Sequence, residues 1–212
     1  GLYHVSMATV KAYPGGKTLL DTFKRSFADV PLDEERSNLI STTEFLEATE
    51  SMTVLFDVLG SVAFQPVKKD ILGNVKKIRD RQLNAPASSL SLQELVRSEL
   101  SSKKHSATEG LVWLTRGLDF TAIALAQNIA CPNEELSASF RSAYTKTLKS
   151  HHSFLVKPIF SAAMSACPYR KDFFAKLGDD EKTVSQALKV WSGDLQRLLE
   201  ILKSFLDKEA KW

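Results

Sequence analysis

Two patterns at helical spacing meet in the segment Pro66-Val67-Lys68-Lys69-Asp70-Ile71-Leu72-Gly73-Asn74-Val75-Lys76-Lys77-Ile78. At about 100° per residue, every third or fourth residue falls on one face of an α-helix. An apolar arc on one face contains Val67, Ile71, Val75 and Ile78. A polar row beside it contains Asp70, Asn74 and Lys77. Because proline suits the first turn of a helix, the segment predicts an amphipathic helix from Pro66 to about Gln82.

The same periodicity recurs along nearly the whole chain, which has only 9 glycines and 7 prolines in 212 residues. Ser91 followed by Glu94 is typical of a capping box at a helix start. Strand signals are nearly absent, and residues 84–91 are predicted to be a surface loop. Further helices are predicted over residues 17–28, 43–59, 92–100, 107–129 and 133–166, with short helices after Pro168 and a final pair over 183–210. The predicted fold class is therefore all-α with about eight helices, in one domain over residues 7–212, and residues 1–6 before Met7 are expected to be a cloning remnant.

Composition excludes several function classes. The net charge of +3 permits contact with an anionic membrane but lacks the dense basic stripe of a nucleic-acid binder. Cys131 and Cys167 share no metal or redox spacing, and no glycosylation acceptor occurs, so a cytoplasmic location is expected. No apolar run reaches the roughly 18 residues of a membrane span. Any association with a membrane is therefore expected to be peripheral and transient, and no oligomer is implied.

The polar row offers a carboxylate, an amide and an ammonium, which together accept and donate hydrogen bonds. Asp70, Asn74 and Lys77 would match the hydroxyl groups of a sugar in this respect. A solvated helix face with a routine charge pair explains the same spacing and is the commoner case. Spacing alone does not decide between the two.

Three other residues stand out within predicted helices. His152 falls among Leu148, Leu155 and Ile159 on one helical arc, where a buried imidazole needs a hydrogen-bond partner. A core histidine bonded to a neighbouring backbone or side-chain group is the commoner explanation of this pattern. Trp113 is either a flat platform for a sugar ring or an ordinary core residue. Phe154, near Lys157, is either a membrane anchor or a scattered surface aromatic.

Enzyme motifs are missing, and the sequence predicts no catalytic residues, no metal and no cofactor. Gly15-Gly16-Lys17-Thr18 ends like a P-loop, but Lys11 stands where the first glycine belongs. No zinc-protease, di-metal or hydrolase signature occurs. A haem ligand role for His152 would need a second well-placed histidine.

Joined to its flanks, the polar row resembles the glycolipid transfer protein family. Similar stretches occur in family order: Phe56 to Phe64, Asp70 to Lys77, Val112 to Leu118, Ala143 to His152 and Cys167 to Phe173. The resemblance covers roughly residues 43–177 and is weaker in the C-terminal helices. It implies a two-layer helical sandwich around an apolar lipid pocket, and a function in carrying glycosphingolipids between membranes.

The resemblance also implies roles for individual residues. The headgroup site would comprise Asp70 and His152 at the ceramide amide, Asn74 and Lys77 at sugar hydroxyls, and Trp113 under the sugar ring. The membrane contact would comprise Phe154, where family members often have tryptophan, and Lys157. The lipid-chain pocket would be lined by Leu55, Phe56, Phe64, Val67, Phe120, Leu148, Val156, Ile159, Phe160 and Ala163.

An uncharged amide at Asn74 and an indole at Trp113 favour a neutral headgroup, of the glucosyl- or galactosylceramide type. Relatives that take ceramide-1-phosphate have cationic residues at these two places. Two alternatives stay open at this point. One is a lipid-binding module of different specificity, or a glycolipid sensor. The other is a helical protein-interaction domain with an idle pocket.

Overall fold

A computed structural model describes residues 13–60 and 62–210, and this part of the chain contains nine α-helices. The boundary expected between residues 6 and 7, and the C-terminal Trp212, lie outside the described residues. The helices are α1 (Thr42–Met52), α2 (Val54–Val58), α3 (Gln65–Asn84), α4 (Leu92–Leu100), α5 (Ser106–Ala130), α6 (Leu136–Lys146), α7 (Lys157–Ser165), α8 (Arg170–Leu177) and α9 (Glu181–Glu209).

Three helices agree closely with their predicted bounds. In α3, Pro66 lies in the first turn and the apolar arc is buried. At the start of α4, the Ser91 hydroxyl accepts a hydrogen bond from the Glu94 amide at 3.1 Å, which satisfies one of the free N–H groups of the first turn. The long α5 also follows its predicted extent. Local periodicity and caps were therefore sufficient to predict the bounds of these three helices.

The predicted helix over residues 133–166 is wrong, because the chain forms α6 and α7 with ten residues between them. The Thr147 hydroxyl bonds back to the Ala143 carbonyl oxygen where α6 ends. Pro158 lies in the first turn of α7, a place where its missing N–H costs nothing. The predicted helix included this proline, so the prediction missed the interruption. The helical arc that grouped His152 with Leu155 and Ile159 therefore does not exist.

Other predicted elements differ as well. Residues 17–28 form two short 3₁₀ turns, each begun by its own cap, since Thr18 bonds the Leu20 amide and Ser26 bonds the Ala28 amide. The helix over 43–59 is divided at Thr53 into α1 and α2. The final pair is one helix, α9, which runs unbroken through Gly193.

A small antiparallel hairpin pairs β1 (Leu32–Asp33) with β2 (Leu39–Ile40), which the pattern did not predict. Its turn places Ser37 and Asn38 at positive φ, a conformation that asparagine tolerates better than most residues. The Ile40 amide donates to the Gln93 side chain at 2.9 Å and so ties the hairpin to α4.

The central helix is α5, which packs most extensively against α3, α6 and α9. Its apolar residues join one contiguous core that runs through all these helices. Phe120 of α5 contacts Phe140 of α6 edge to face, with ring centroids 5.4 Å apart. Any residue carried on α5 therefore has its position set by three helices at once.

Candidate functional site

The polar row on α3 lies at the edge of the core. Asn74 is only 5% exposed, whereas Asp70 and Lys77 are exposed. Crowding by protein atoms raises the pKa of the Asp70 carboxyl, and the nearby Lys77 ammonium opposes that shift to a smaller extent. Within the described residues, the side-chain amide of Asn74 has no hydrogen-bond partner. The row therefore presents a partly desolvated carboxylate and an unpaired amide side by side.

Helix α5 approaches this row through a glycine. A β-carbon built at Gly110 would lie 3.1 Å from the Lys77 β-carbon and 3.4 Å from the Asn74 carbonyl oxygen. These distances are shorter than most real β-carbon contacts, so glycine at this position permits the approach. Trp113 follows about one turn later on α5.

Trp113 lies face to face with His152, which the segment between α6 and α7 contributes. Their ring centroids are 5.7 Å apart with an interplanar angle of 16°. The Arg116 guanidinium lies over the Trp113 ring, 4.8 Å from its centroid. His151 meets the same indole edge to face at 6.4 Å. An indole, an imidazole and a guanidinium thus share one small region.

His152 is half-buried among aromatic rings. Its centroid lies 4.6 Å from that of Phe160, and its Nδ1 lies 2.9 Å from the Tyr144 hydroxyl oxygen. Burial lowers the pKa of His152, and the positive charges of His151, Arg116 and Lys157 lower it further. The imidazole is therefore neutral at neutral pH, with one nitrogen that donates and one that accepts.

Most of the residues predicted to line the lipid-chain pocket are buried, and one of them, Phe160, contacts His152. Aromatic contacts connect Phe56 to Phe64, then Phe140, Phe120 and Phe160. These side chains pack against one another, so a lipid chain could enter only if they separate. The structure buries Leu55, Phe56, Phe64, Val67, Phe120, Leu148, Phe160 and Ala163, half-buries Val156, and leaves Ile159 43% exposed.

A cavity of about 270 Å³ opens beside Trp113, on the side facing α4 and the end of α9. The predicted membrane residues lie on the surface: Phe154 is 81% exposed, the adjacent Leu155 is 69% exposed, and Lys157 is exposed. These two consecutive exposed side chains, one aromatic and one aliphatic, form an apolar patch two residues after His152.

Sequence reasoning missed three residues of this region. Tyr144 bonds His152, Arg116 covers Trp113, and Phe140 contacts the ring of Phe64, just before α3, and that of Phe120 on α5. Tyr144 and Arg116 stand inside the stretches that carried the resemblance, but their contacts depend on the break after α6 and on side-chain direction. No set of three His, Cys, Asp or Glu side chains able to hold a metal occurs among the described residues. No helix in the described ranges is long and apolar enough to span a membrane.

Comparison with known proteins identifies the fold. The structure is similar to the crystal structure of HET-C2, a fungal glycolipid transfer protein, with a TM-score of 0.89 and 64% identity, over 92% of this chain and 100% of that one. Mouse ceramide-1-phosphate transfer protein has the same fold at a TM-score of 0.80 and 19% identity, over 92% of this chain and 97% of that one. The structure thus has the glycolipid transfer protein fold, the two-layer helical sandwich that the resemblance implied.

Sequence comparison gives the family. The model of the glycolipid transfer protein family matches residues 40–179. A glycolipid transfer protein of Aureobasidium melanogenum is 64% identical over 202 residues, which cover 95% of this chain and 99% of the relative. The chain belongs to the glycolipid transfer protein family, and the predicted resemblance to this family is confirmed.

Proposed function

We propose that this protein binds a neutral glycosphingolipid and carries it between membranes without chemical change. The observation that supports the proposal best is the juxtaposition of two parts. Polar side chains from α3, α5 and the segment before α7 lie beside a contiguous aromatic core. A lipid with a hydrogen-bonding head and two apolar chains needs both parts together.

The headgroup would use complementary donors and acceptors. Asp70 accepts the ceramide amide N–H, Asn74 and Lys77 bond the sugar hydroxyls, and Trp113 lies under the apolar face of the sugar. His152 bonds the amide group of the lipid. A phosphoglyceride lacks that amide, so it would leave Asp70 and His152 unpaired in a partly desolvated place, which is the usual origin of such selectivity.

The lipid chains would replace contacts that the aromatic core now makes with itself. Each methylene kept from water is worth about 0.8 kcal/mol, so a ceramide with some thirty chain carbons faces a penalty on the order of 20 kcal/mol in water. A pocket formed by the ten predicted chain residues would remove most of that penalty. Transfer would then be passive and would follow the concentration gradient.

Membrane docking would use the apolar patch that begins at Phe154. An aromatic ring at the level of the lipid headgroups combined with a lysine such as Lys157 suits a transient contact with an anionic surface. We expect the protein to act from the cytoplasm, with no nucleic acid among its partners.

Ceramide-1-phosphate is the second candidate ligand. Arg116 supplies a guanidinium beside Trp113, and guanidinium groups bind phosphate well. Against it stand the uncharged Asn74 amide and the Trp113 indole, which bring no positive charge to a phosphate head.

Fluorescent transfer between vesicles tests the proposal. Donor vesicles would carry glucosylceramide, ceramide-1-phosphate or phosphatidylcholine in parallel, each with the same acyl probe. We expect rapid transfer of glucosylceramide, at least tenfold slower transfer of ceramide-1-phosphate and no transfer of phosphatidylcholine. Faster transfer of ceramide-1-phosphate would replace the proposed ligand, and no transfer of any of the three would overturn the carrier function.

A further inference from the structure

Tyr144 and His152 share a hydrogen bond whose direction depends on which nitrogen of the imidazole carries its proton. The Tyr144 hydroxyl oxygen and His152 Nδ1 are 2.9 Å apart, and Tyr144 is only 5% exposed. Within residues 13–60 and 62–210 this is the one hydrogen bond of the Tyr144 hydroxyl, and His152 Nε2 forms none.

Two arrangements of the protons are possible for a neutral imidazole. If Nδ1–H donated to the tyrosine oxygen, the phenolic proton would be buried without an acceptor, which is costly. If the tyrosine O–H donates to Nδ1, every polar atom of the pair is satisfied except Nε2–H. That group points away from Tyr144, because the two ring nitrogens lie on different sides of the imidazole.

The rings around His152 hold it in this orientation. Trp113 covers one face at an interplanar angle of 16°, and Phe160 lies 4.6 Å away at a tilt of 53°. Tyr144 is itself stacked on Phe160, with ring centroids 5.6 Å apart. The hydroxyl group is therefore held in place by its own ring and has little freedom to seek another partner.

We propose that Tyr144 is a positioning residue that keeps His152 in the tautomer protonated on Nε2, so that Nε2–H donates to the amide carbonyl oxygen of a bound sphingolipid. The contact with the lipid rests on the proposed function, whereas the tautomer of His152 is inferred from the structure alone. Asp70 and His152 then contact different atoms of the lipid amide. The Asp70 carboxylate can only accept, and it accepts the N–H, while His152 donates to the C=O. A histidine in the other tautomer would present an acceptor to that oxygen and repel it.

The substitution Tyr144→Phe removes the hydroxyl and keeps the ring, and Tyr169→Phe is a matched control because Tyr169 is 73% exposed. Nitrogen NMR of the imidazole side chains in the lipid-free protein reads the tautomer directly, with the His152 signal assigned by its loss in His152→Asn. We expect protonated Nε2 in the wild type and in Tyr169→Phe, and a mixture of tautomers in Tyr144→Phe. Protonated Nδ1 in the wild type, or an unchanged tautomer in Tyr144→Phe, overturns the proposal.

A double-mutant cycle then tests whether Tyr144 acts through His152. Glucosylceramide transfer should fall on the order of tenfold in Tyr144→Phe, the loss of about one hydrogen bond. It should fall no further when Tyr144→Phe is added to His152→Asn. Additive losses would assign Tyr144 a separate structural role and reject the proposal. If the wild type transfers no glycolipid, the proposed function fails, whereas the NMR result still decides the tautomer.

Discussion

Gly110 and Lys77 are in contact across the α3–α5 interface, so closely that a β-carbon at residue 110 would lie 3.1 Å from the Lys77 β-carbon. The obstructing atom is the stem of the lysine rather than its flexible end, so relief requires a shift of the helices by a few tenths of an ångström. Asn74 and Lys77 are on one side of this contact, and Trp113 follows one turn later on the other. Gly110 therefore sets the spacing across the candidate headgroup site.

Replacing Gly110 by alanine should weaken glycolipid binding without lowering the free energy of unfolding. Gly193→Ala is the control, since it lies within α9 and its new β-carbon would meet nothing within 4 Å. The control should raise the free energy of unfolding by about 0.5–1 kcal/mol and leave transfer unchanged. Gly110→Ala should gain less stability and lose glucosylceramide affinity several-fold, because hydrogen-bond geometry tolerates little displacement. Equal transfer by both variants would show that the close contact has no bearing on the ligand.

Asp70 should reduce stability in the absence of ligand. Nearby protein atoms partly desolvate its carboxyl and raise its pKa, so ionisation costs the folded state more than the unfolded state. The stability that the protonated group provides is complete below the unfolded pKa of 3.8 and is lost as the pH rises through the higher folded pKa. Relative to the wild type, Asp70→Asn should therefore melt at a higher temperature at pH 7 but not at pH 3.5.

The same substitution should lower glucosylceramide transfer about tenfold, because a charged acceptor is replaced by a neutral one. Asp80→Asn is the control on the same helix, where it breaks only a surface ion pair with Lys76 and should change stability by less than about 1 kcal/mol. Thermal unfolding across this pH range and vesicle transfer measure both effects. An Asp70→Asn variant that is less stable at pH 7, with full transfer, would contradict the prediction.

Trp113→Ala should abolish selective glycolipid transfer while leaving the helical content intact. It removes the surface proposed to lie under the sugar and also the ring that faces His152 at 5.7 Å. Trp113→Phe keeps a smaller aromatic face and should retain an intermediate rate. Circular dichroism checks folding, and the ratio of glucosylceramide to ceramide transfer reports on the sugar contact. An unaltered ratio in Trp113→Ala would remove this residue from the headgroup site.

Phe154→Ala should weaken membrane association more than lipid recognition. Its ring is 81% exposed, so its loss leaves no cavity and should not destabilise the fold. Leu83→Ala is the control, since Leu83 is also an exposed apolar residue, at 74%, but lies near the end of α3. Vesicle sedimentation should show several-fold weaker association for Phe154→Ala only, with unchanged binding of a short-chain glycolipid in solution. Equal losses in both assays would instead assign Phe154 to the ligand pocket.

The segment around His152 shows where sequence reasoning failed. Over a continuous helix, residues 144 and 152 would be about 12 Å apart along the axis, at 1.5 Å per residue. The observed 2.9 Å bond exists only because α6 ends at Lys146 and a new helix begins at Lys157. Pro158 was the available signal for that break. His152 was predicted to be buried on one helical arc, but it is half-buried and its neighbours are Trp113, Tyr144 and Phe160.

The amino-acid sequence by itself determined the all-helical class, the bounds of α3, α4 and α5, and the apolar arc of α3, because periodicity and caps act over a few residues. Family membership also followed from it, since motifs such as Asp70 to Lys77 keep their spacing along the chain. Only the tertiary structure decided the close approach at Gly110, the facing rings of Trp113 and His152, and the bond from Tyr144. Each of these contacts joins residues on different elements, and their geometry depends on helix packing and on the interruption between α6 and α7, which helical periodicity alone does not show.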